Sequence, residues 1–499
     1  MKIPIACDTG GTFTDFIFKL NNNFSVLKVP STPHDPAEAV LTGLQAITEG
    51  KHSGRDLIHG MTIAINYLLE RKGSETLLLT TSGFRDIIEI GRQNRLYLYK
   101  HAVKSRELIP RHLRVEIEER VGANGNLITP LNEEQTRYEL EEIKKRQNIQ
   151  SIAICFLFSF LNPEHELKVK NIAQTIFSDI PIVTSHEILP IFREYERTMT
   201  TVIDAYISPI VFNYLTNLKQ AERYVNSIHL IQSNGGISSI ENLQASQSLM
   251  SGLTGGALAA KYSGEVTNEK NIISLDIGGT STDVALLENL EILTTSYTKL
   301  DDQLPIALPI VDVKTVGAGG GSIAYYDKQH ILQVGPQSQG SDPGPVCYGR
   351  SGDKVCVTDV DLFLGWLNKD NFAGGSLPLY PEKAQQAIKN LSNQNANDSI
   401  TLENLAEGIQ KIFHFNVASA IRSVSIEKGY DPREFSLISF GGAGPTHACA
   451  IAELLEISNN SAIAQACVGP APPKLIRENS LGSYPFSIET ERIALATLK

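Results

Sequence analysis

Two short segments far apart in the chain share a pattern of aspartates, glycines and threonines. Residues 8–15 read DTGGTFTD, and residues 276–283 read DIGGTSTD. Each lies between two apolar runs, so both segments are predicted to form a strand, a glycine turn and a second strand. Two consecutive glycines permit positive φ angles and let the backbone approach a ligand closely. Backbone N–H groups in such a turn can bind a phosphate.

The threonines of the two motifs predict further contacts to phosphate. Thr12 and Thr14 fall on one face of the second strand because side chains alternate along a strand. Thr280 and Thr282 have the same spacing in the second motif. Their hydroxyls are suited to phosphate oxygens. A tight hairpin capped by Asp and Thr is the alternative for either motif alone, but the match between the two motifs favours ligand binding.

The aspartates of the motifs predict a magnesium site. Asp8 and Asp276 each follow an apolar strand, and a carboxylate at a strand end is well placed to hold hydrated Mg²⁺. Asp15 and Asp283 close the motifs on the strand face opposite to the threonines. For these two residues a structural role and a metal role both stay open.

Other phosphate-binding patterns are missing from the sequence. No GxxxxGK[ST] occurs, and residues 317–322, GAGGGS, have serine where GxGxxG needs its last glycine. Neither HExxH nor GxSxG occurs, which removes the main support for a zinc protease or a hydrolase elbow. Residues 317–321 and 335–352 are rich in Gly and Pro and predict irregular chain near a site.

A third glycine cluster lies late in the chain. Residues 440–446, FGGAGPT, follow an apolar run and precede a predicted helix, which makes a turn that can press against a flat ligand. Two DxGGTxTD hairpins and a late GGxGP turn resemble the phosphate-1, phosphate-2 and adenosine motifs of the actin, sugar kinase and Hsp70 superfamily. The resemblance implies an α/β fold in which two ribonuclease H-like domains surround an ATP cleft.

Further segments narrow the resemblance to the hydantoinase A / 5-oxoprolinase family. They run in the family's order from residue 8 to about residue 456: HGMTIAINYLLERKG (59–73), GFRDIIEIGRQ (83–93), REYERT (193–198), QSNGG (232–236), VGAGGGSIA (316–324), SDPGPVCYG (341–349) and FGGAGP. The family includes ATP-dependent hydantoinase A subunits, the N-terminal half of 5-oxoprolinase and β subunits of acetone and acetophenone carboxylases.

The resemblance implies an activity, cofactors and a partner. With ATP and Mg²⁺, the protein would phosphorylate the carbonyl oxygen of a cyclic amide, hydantoin or 5-oxoproline. Ring opening would follow with a B-type subunit, in an oligomer. A carboxylase β-type subunit that activates a ketone is one alternative, and a truncated, non-catalytic nucleotide-binding paralogue is another.

The resemblance also assigns residues, position by position. Asp8 and Asp276 would be the catalytic residues and the metal ligands. The nucleotide would bind Gly10, Gly11, Thr12, Thr14, Gly278, Gly279, Thr280, Thr282, Gly441, Gly442 and Gly444.

Substrate-side candidates are His59, Thr62, Arg92 and Asp342. A helix cap is the alternative for the first two, and a turn before proline is the alternative for Asp342. Arg92 belongs to a polar run with Arg85, Asp86 and Gln93 that suits a carboxylate or a ring amide, or else forms ion pairs in a solvated loop. Three other features predict structure: an ion-pair network of Arg193, Glu194 and Arg197, a packed Cys347 and a helix start at His447.

Composition limits the class of protein. The net charge of −11 and pI near 5.6 argue against a nucleic-acid partner, which requires clustered Lys and Arg. No apolar run approaches the roughly 18 residues of a membrane span, and no basic leader precedes one at the start, so we expect a cytoplasmic protein without a membrane partner. The six cysteines are scattered without a CxxC pair, which predicts reduced thiols rather than disulfides or a zinc site.

The elements that would position these motifs alternate between helices and strands. Residues 36–49 and 133–146 predict helices, and residues 76–80 and 151–158 predict buried strands. At roughly 150 residues per domain, 499 residues suggest about three domains. The family pattern divides them into an N-terminal ribonuclease H-like domain (1–195), a core with a second such domain (196–456) and an atypical tail (457–499).

Overall fold

The computed structural model describes most of the chain between residues 3 and 457. The described residues are 3–10, 13–20, 23–32, 34–94, 99, 107–300, 304–340, 342–370, 372, 377–394, 400–457 and 463–464. They form two compact units. Unit 1 comprises Met1–Gly252 and Thr294–Ile310, and unit 2 comprises Leu253–Leu293 and Val311–Lys499. The predicted domain boundaries at residues 195 and 456 stay a prediction.

The elements follow one another in a mixed order, as predicted for an α/β chain. The strands are β1 (Ile5–Thr9), β2 (Phe13–Leu20), β3 (Asn23–Pro30), β4 (Leu57–Met61), β5 (Thr76–Thr81), β6 (Arg114–Ile117), β7 (Arg120–Val121), β8 (Leu127–Thr129), β9 (Ser151–Cys155), β10 (Ile182–Thr184), β11 (Ile228–Ile231), β12 (Ile237–Ser239), β13 (Ile272–Ile277), β14 (Thr282–Glu288), β15 (Glu291–Ile292), β16 (Thr294–Thr295), β17 (Thr298–Leu300), β18 (Leu304–Ile306), β19 (Ile310–Val311), β20 (Val313–Val316), β21 (Ser322–Tyr326), β22 (Leu332–Ser338), β23 (Ser436–Phe440) and β24 (Ile463–Ala464). The helices are α1 (Pro36–Thr48), α2 (Ile63–Leu69), α3 (Ile87–Ile90), α4 (Glu133–Arg146), α5 (Glu164–Ile176), α6 (Ser185–Ile188), α7 (Glu194–Leu218), α8 (Ser251–Thr267), α9 (Val357–Phe363), α10 (Pro381–Ser392), α11 (Leu402–Ser425) and α12 (Gly444–Leu454).

The first sheet of unit 1 contains the first motif. Its strand order is β12-β11-β4-β1-β2-β3. The first three strands of the chain form an antiparallel meander, and β4 and β11 run parallel to β1. Strands β1 and β2 pair antiparallel, as predicted for the two strands of the first motif. Helix α1 begins at Pro36 after an Asp35 cap and approaches the sheet at Gly43, where a Cβ would lie 2.1 Å from the ring of Phe16.

A second sheet in unit 1 is parallel throughout, with the order β10-β9-β5-β6. Its central strands β5 and β9 are fully buried apolar runs, as predicted. Strand β9 ends at Cys155 rather than at Phe158, because the chain turns there and Phe158 takes a positive φ of 55°. Helix α4 has the predicted bounds.

Unit 2 contains the second motif in a sheet of the same connectivity. Its order is β15-β14-β13-β23-β24, with β20 also paired to β14. Strands β13, β14 and β15 form an antiparallel meander, and β23 and β24 continue parallel to β13. Helices α11 and α12 supply much of the core that packs on this sheet, including Phe413, Ile421 and Ile451. Two related sheets therefore each open with the repeated hairpin.

Two class predictions concern thiols and membranes. Among the described residues, Cys7, Cys155, Cys347 and Cys356 are buried free cysteines, and Cys449 is an exposed one. Within the described ranges, none of the helices combines the length and the apolar character that crossing a membrane requires.

Candidate functional site

In unit 1, Asp8 stands at the end of β1 beside a glycine of the neighbouring strand. It lies opposite Asp15 on β2 and opposite Gly60 on β4. A Cβ at Gly60 would lie only 3.2 Å from Asp8 Oδ1, and one at Gly252 would lie 3.6 Å from it. The carboxylate keeps contact with solvent, but the surrounding protein and the charge of Asp15 raise its pKa to about 6, against the opposing effect of Lys28.

A lysine side chain pairs with the second aspartate of the first motif. Asp15 lies opposite Lys28 on β3, and the two side chains form an ion pair with 2.7 Å between Nζ and Oδ1. Asp8, Asp15 and Lys28 therefore form one row across three strands, because opposed residues in a sheet share a face.

The second motif has the same row of opposed residues on three strands, but no lysine is part of it. Asp276 lies opposite Asp283 on β14, which lies opposite Thr315 on β20. Thr315 Oγ1 donates a hydrogen bond of 2.5 Å to Asp283 Oδ1. Burial raises the pKa of Asp283 to about 6, and this hydrogen bond opposes the rise. A hydroxyl thus stands where the first motif has an ammonium group.

Asp276 packs against a glycine as Asp8 does, and its carboxylate lies closer to that glycine. Gly441 follows Phe440, which lies opposite Asp276 on the parallel strand β23. Its φ is +83°, and a Cβ there would lie 2.1 Å from Asp276 Oδ1 and 2.6 Å from the carbonyl oxygen of Ile277. Only glycine fits both the conformation and the space.

The motif threonines divide into buried and exposed ones. Thr14 and Thr282 are fully buried on the sheet face opposite to the aspartates. Thr14 Oγ1 lies 3.1 Å from Ser31 Oγ, and Thr282 Oγ1 donates a hydrogen bond of 2.5 Å to the carbonyl oxygen of Ala318. These hydroxyls therefore have protein partners, and their contact with phosphate stays a prediction.

The turn residues of the motifs are more accessible. Gly278 N donates to Ser281 O at 2.9 Å and closes the second turn, while Gly279 and Thr280 are exposed. In the first turn the carbonyl oxygen of Gly10 accepts from Ser31 Oγ at 2.8 Å. Gly11 and Thr12 lie outside the described residues. The exposed turn of unit 2 offers backbone N–H groups to a ligand.

The GAGGGS segment, which the sequence only suggested to lie near a site, packs directly on the second motif. Gly320 N donates to Gly278 O at 3.0 Å, and Gly321 N donates to Gly279 O at 2.6 Å. A Cβ at Gly319 would lie 2.8 Å from the backbone of Gly279. The run of glycines is the signal for this contact, because two backbones can meet so closely only without side chains.

The third glycine cluster meets the same motif from β23. Ala443 N donates to the carbonyl oxygen of Ile277 at 3.0 Å, and a Cβ at Gly444 would lie 2.6 Å from Ser439 Oγ. Gly442 is exposed and has open space at its Cβ position. Unit 2 therefore brings together the predicted glycines of the second motif and of the late turn.

His59, a predicted substrate contact, lies in the interior of unit 1, and its contact with a substrate stays a prediction. It lies on β4 rather than at a helix start, and its side chain is fully buried. Nδ1 is 3.2 Å from the carbonyl oxygen of Cys7, and Nε2 is 2.6 Å from the Tyr214 hydroxyl. Burial lowers the pKa of His59 to about 4, so the imidazole is a neutral core group.

The other substrate-side candidates are nearer to solvent. Thr62 precedes α2, and its Oγ1 donates to Thr9 O at 3.3 Å, beside the Asp8 strand end. Arg92 forms a bidentate pair with Glu196, with 2.8 Å and 2.6 Å between nitrogen and oxygen atoms, and this pairing raises the pKa of Arg92. Asp342 is exposed in unit 2. Substrate contacts of these residues stay predictions.

The polar run of residues 83–93 forms ion pairs within unit 1. Asp86 makes a bidentate pair with Arg111, and Arg85 Nε lies 3.7 Å from Glu116. This agrees with the alternative of an ion-paired loop.

The predicted network of Arg193, Glu194 and Arg197 is wrong in its partners. Arg197 is fully buried and donates to the serines Ser159 and Ser185 and to the carbonyl oxygen of Phe156. Arg193 instead lies over the ring of Phe192. The acidic residue that pairs is Glu196, with Arg92.

Over the part of the chain that the structure describes, no three His, Cys, Asp or Glu side chains are arranged to hold a metal ion among themselves. A cation at either motif would therefore have few protein ligands and would keep water or a substrate oxygen in its shell.

Two family models match the chain. The hydantoinase/oxoprolinase N-terminal region matches residues 4–177, and hydantoinase/oxoprolinase matches residues 197–472. The second match runs past residue 457, where the atypical tail was predicted to begin.

Proteins with several different names are similar to this chain in sequence. An uncharacterised protein of Methanocaldococcus jannaschii is 38% identical over 92% of this chain and 70% of its own length. Caprolactamase subunit alpha of Pseudomonas jessenii is 36% identical over 90% of this chain and 66% of its own length. 5-oxoprolinase of Dictyostelium discoideum is 31% identical over 91% of this chain. The chain spans only 41% of the length of that 5-oxoprolinase.

Two solved structures share the fold, each with a TM-score of 0.78 and 91% of this chain covered. They are nucleotide-free acetone carboxylase, 29% identical over 67% of that chain, and the ATP-dependent caprolactamase of Pseudomonas jessenii, 35% identical over 68% of that chain. They confirm the predicted α/β fold with actin, sugar kinase and Hsp70-like architecture. By both family matches and these likenesses, the chain belongs to the hydantoinase/oxoprolinase family.

Proposed function

We propose that the chain is an ATP-dependent subunit that phosphorylates the carbonyl oxygen of a cyclic amide, hydantoin or 5-oxoproline. One observation carries the proposal: each unit places a motif aspartate at the end of a strand with its carboxylate packed against a glycine, Asp8 against Gly60 and Asp276 against Gly441. The relatives named caprolactamase and 5-oxoprolinase support a cyclic amide as the substrate class.

Mg²⁺ would be held by Asp8 and Asp276 in this proposal. The donor set suits a hard cation, because carboxylate oxygens are its preferred ligands. Bound there, Mg²⁺ would neutralise charge on the phosphate groups of ATP. The backbone N–H groups of the exposed residues Gly279 and Thr280 would bind a phosphate in the turn.

The reaction would proceed in three steps. The amide oxygen attacks the terminal phosphorus of ATP, so that an O–P bond forms, the bond to the β-phosphate oxygen breaks and ADP leaves. Water then adds to the O-phosphorylated amide carbon, and the ring C–N bond breaks as the nitrogen takes a proton, which leaves an acyl phosphate. A second water hydrolyses the acyl phosphate to a carboxylate and inorganic phosphate. The chain's own residues position the phosphates and offset their charge, which is most of the work in phosphoryl transfer.

A ketone is the second candidate substrate, because acetone carboxylase matches with the same TM-score as the caprolactamase. In that reaction the enolate oxygen of the ketone would take the phosphoryl group, and bicarbonate would supply the new carboxyl carbon. A non-catalytic paralogue would bind nucleotide and turn nothing over.

A partner subunit of the B type is part of the proposal. The caprolactamase relative is named as a subunit, and the chain spans only part of its length. We expect the partner to complete ring opening, and we expect the assembly to be oligomeric.

The test measures ADP release by the full chain with hydantoin, 5-oxoproline, caprolactam and acetone, each with and without bicarbonate and a B-type subunit. Release of ADP and phosphate with a cyclic amide, without bicarbonate, supports the proposal. Release that requires bicarbonate and a ketone favours the carboxylase alternative. Nucleotide binding without turnover of any substrate favours the non-catalytic paralogue.

Variants connect the activity to the site. Asp8→Asn and Asp276→Asn are each expected to abolish ADP release. Asp431→Asn is the matched control. Asp431 precedes the start of β23, whereas Gly441 follows its end, and the Asp431 side chain pairs with Arg433 at the surface. Unchanged turnover in either motif variant would contradict the site assignment.

A further inference from the structure

One short helix of unit 2 contacts three glycine-containing segments. Helix α9 has seven residues, and its polar residues Thr358, Asp359 and Asp361 are 7%, 0% and 2% exposed. Burying polar groups is costly unless each has a partner, so three of them on one short helix require an explanation.

Each buried side chain of α9 binds a different segment. Thr358 Oγ1 donates to the carbonyl oxygen of Gly320 at 2.8 Å, in the segment that packs on the second motif. The Asp359 carboxylate accepts from Cys347 N at 2.7 Å, in the segment SDPGPVCYG, and from Cys356 N at 2.8 Å. Asp361 Oδ2 lies 3.3 Å from His447 Nε2, on the helix that follows the late glycine turn, without the geometry of a hydrogen bond.

Asp361 and two histidines form a buried chain of polar groups. Gln410 Nε2 donates to Asp361 Oδ1 at 2.8 Å, and His447 Nδ1 lies 2.9 Å from His414 Nε2. A carboxylate favours a proton on the nitrogen that faces it, so we assign the His447 proton to Nε2, which leaves Nδ1 to accept from His414 Nε2–H. The ring of Trp366 is stacked on His414 with an interplanar angle of 8°.

The buried polar groups connect to the late glycine turn through His447. His447 is fully buried in the first turn of α12, which begins at Gly444. On the other side of the turn, Gly441 packs against Asp276 and Ala443 N donates to Ile277 O. The turn is therefore fixed to β13 at one end and to α9 and α11, through His447, at the other.

We propose that His447 is a positioning residue for the nucleotide: held between Asp361 and His414, it fixes the first turn of α12 and with it the conformation of residues 441–444. The inference rests on the proposed function, because it takes these residues to contact the nucleotide. It assigns His447 no contact with the nucleotide and no proton transfer.

The experiment measures binding of MgATP to the full chain by calorimetry. His447→Leu removes the hydrogen bond with His414 and the contact with the Asp361 carboxylate, and we expect it to weaken binding at least about tenfold, the effect of losing about 1.4 kcal/mol. His447→Gln keeps a donor toward Asp361 and is expected to restore most of the affinity. His414→Phe removes one contact and gives a second measurement if the leucine variant does not fold.

The matched control is His165→Leu. His165 is a buried histidine of unit 1 whose Nδ1 lies 2.7 Å from the buried Glu119 carboxylate. We expect this variant to lose thermal stability but to bind MgATP within about twofold of the unaltered chain, since a loss of one buried pair in unit 1 does not reach residues 441–444.

The outcomes separate the two claims. No binding of MgATP to the unaltered chain contradicts the proposed function and the inference together. Equal binding by the unaltered chain and by folded His447→Leu or His414→Phe contradicts the inference alone. Nitrogen NMR of the imidazoles adds a spectroscopic test: a proton on Nδ1 of His447 rather than on Nε2 would overturn the assigned chain.

Discussion

Gly441 leaves the space into which the Asp276 carboxylate projects: a Cβ at residue 441 would lie 2.1 Å from Asp276 Oδ1. The same Cβ would lie 2.6 Å from the carbonyl oxygen of Ile277, so moving the Asp276 side chain alone cannot relieve the clash. The glycine therefore belongs to the site because of what it lacks.

We expect Gly441→Ala to weaken MgATP binding at least about tenfold and to lower stability by more than the roughly 1 kcal/mol cost of a positive φ. The control is Gly429→Ala, which has a similar φ of +86° but open space around it. Calorimetry and chemical denaturation of both variants check the prediction. Equal effects at the two positions would contradict it.

The position of Lys28 in the first motif predicts how the second motif responds to an added lysine. Thr315→Lys would place an ammonium group where Lys28 stands in the first motif, opposite Asp283. We expect the half-saturating Mg²⁺ concentration for turnover to rise several-fold, because the lysine ammonium group competes with Mg²⁺ for the same carboxylates. Thr298→Lys, in unit 1, is the control. An unaltered Mg²⁺ titration in Thr315→Lys would show that residue 315 does not influence the carboxylates of Asp276 and Asp283.

Buried His59 predicts acid sensitivity. Its pKa is about 4 in the folded chain against 6.5 ordinarily, so below pH 6.5 the unfolded chain binds a proton that the folded chain does not. Stability should therefore fall as the pH falls from about 6.5 to about 4, with a contribution of about 3 kcal/mol from this residue. Chemical denaturation at several pH values should show a shallower fall in His59→Gln than in the exposed-site control His112→Gln. Identical slopes would refute the assignment.

Two arginines predict a contrast in stability. Arg197 is fully buried and bonded to Ser159, Ser185 and Phe156, whereas Arg92 is half exposed in its pair with Glu196. We expect Arg197→Met to cost about 3 kcal/mol or more, because buried acceptors lose their donor, and Arg92→Met to cost less than about 1 kcal/mol. Urea denaturation of both variants measures this, and similar losses would show that burial does not set the cost.

The sequence predicts the parts of this site that depend on local pattern. The hairpins of both motifs, the late glycine turn and its helix follow from apolar runs and consecutive glycines. The burial of His59 does not, because its partner Tyr214 is 155 residues away. Arg197 was likewise assigned ionic partners, since nothing near it in the sequence points to the serines that accept its hydrogen bonds.

Position on a strand face is the other point where local pattern was insufficient. Alternation predicts that Thr14 and Asp15 face opposite sides, which the register confirms. It does not predict which side is covered, and the side with Thr14 is the buried one. Burial of a sheet face depends on the helices that pack on it, and their contacts are set by the whole unit.

The rows across the two sheets bear on how a duplicated motif diverges. The letters of DTGGTFTD and DIGGTSTD are nearly the same, yet the charge beside them differs by one unit because a third strand supplies Lys28 in one case and Thr315 in the other. That third strand follows immediately in the first half but comes after β15 and a further segment in the second. Selection can therefore retune one copy without touching the repeat, and an alignment confined to the repeat would judge the two copies equivalent.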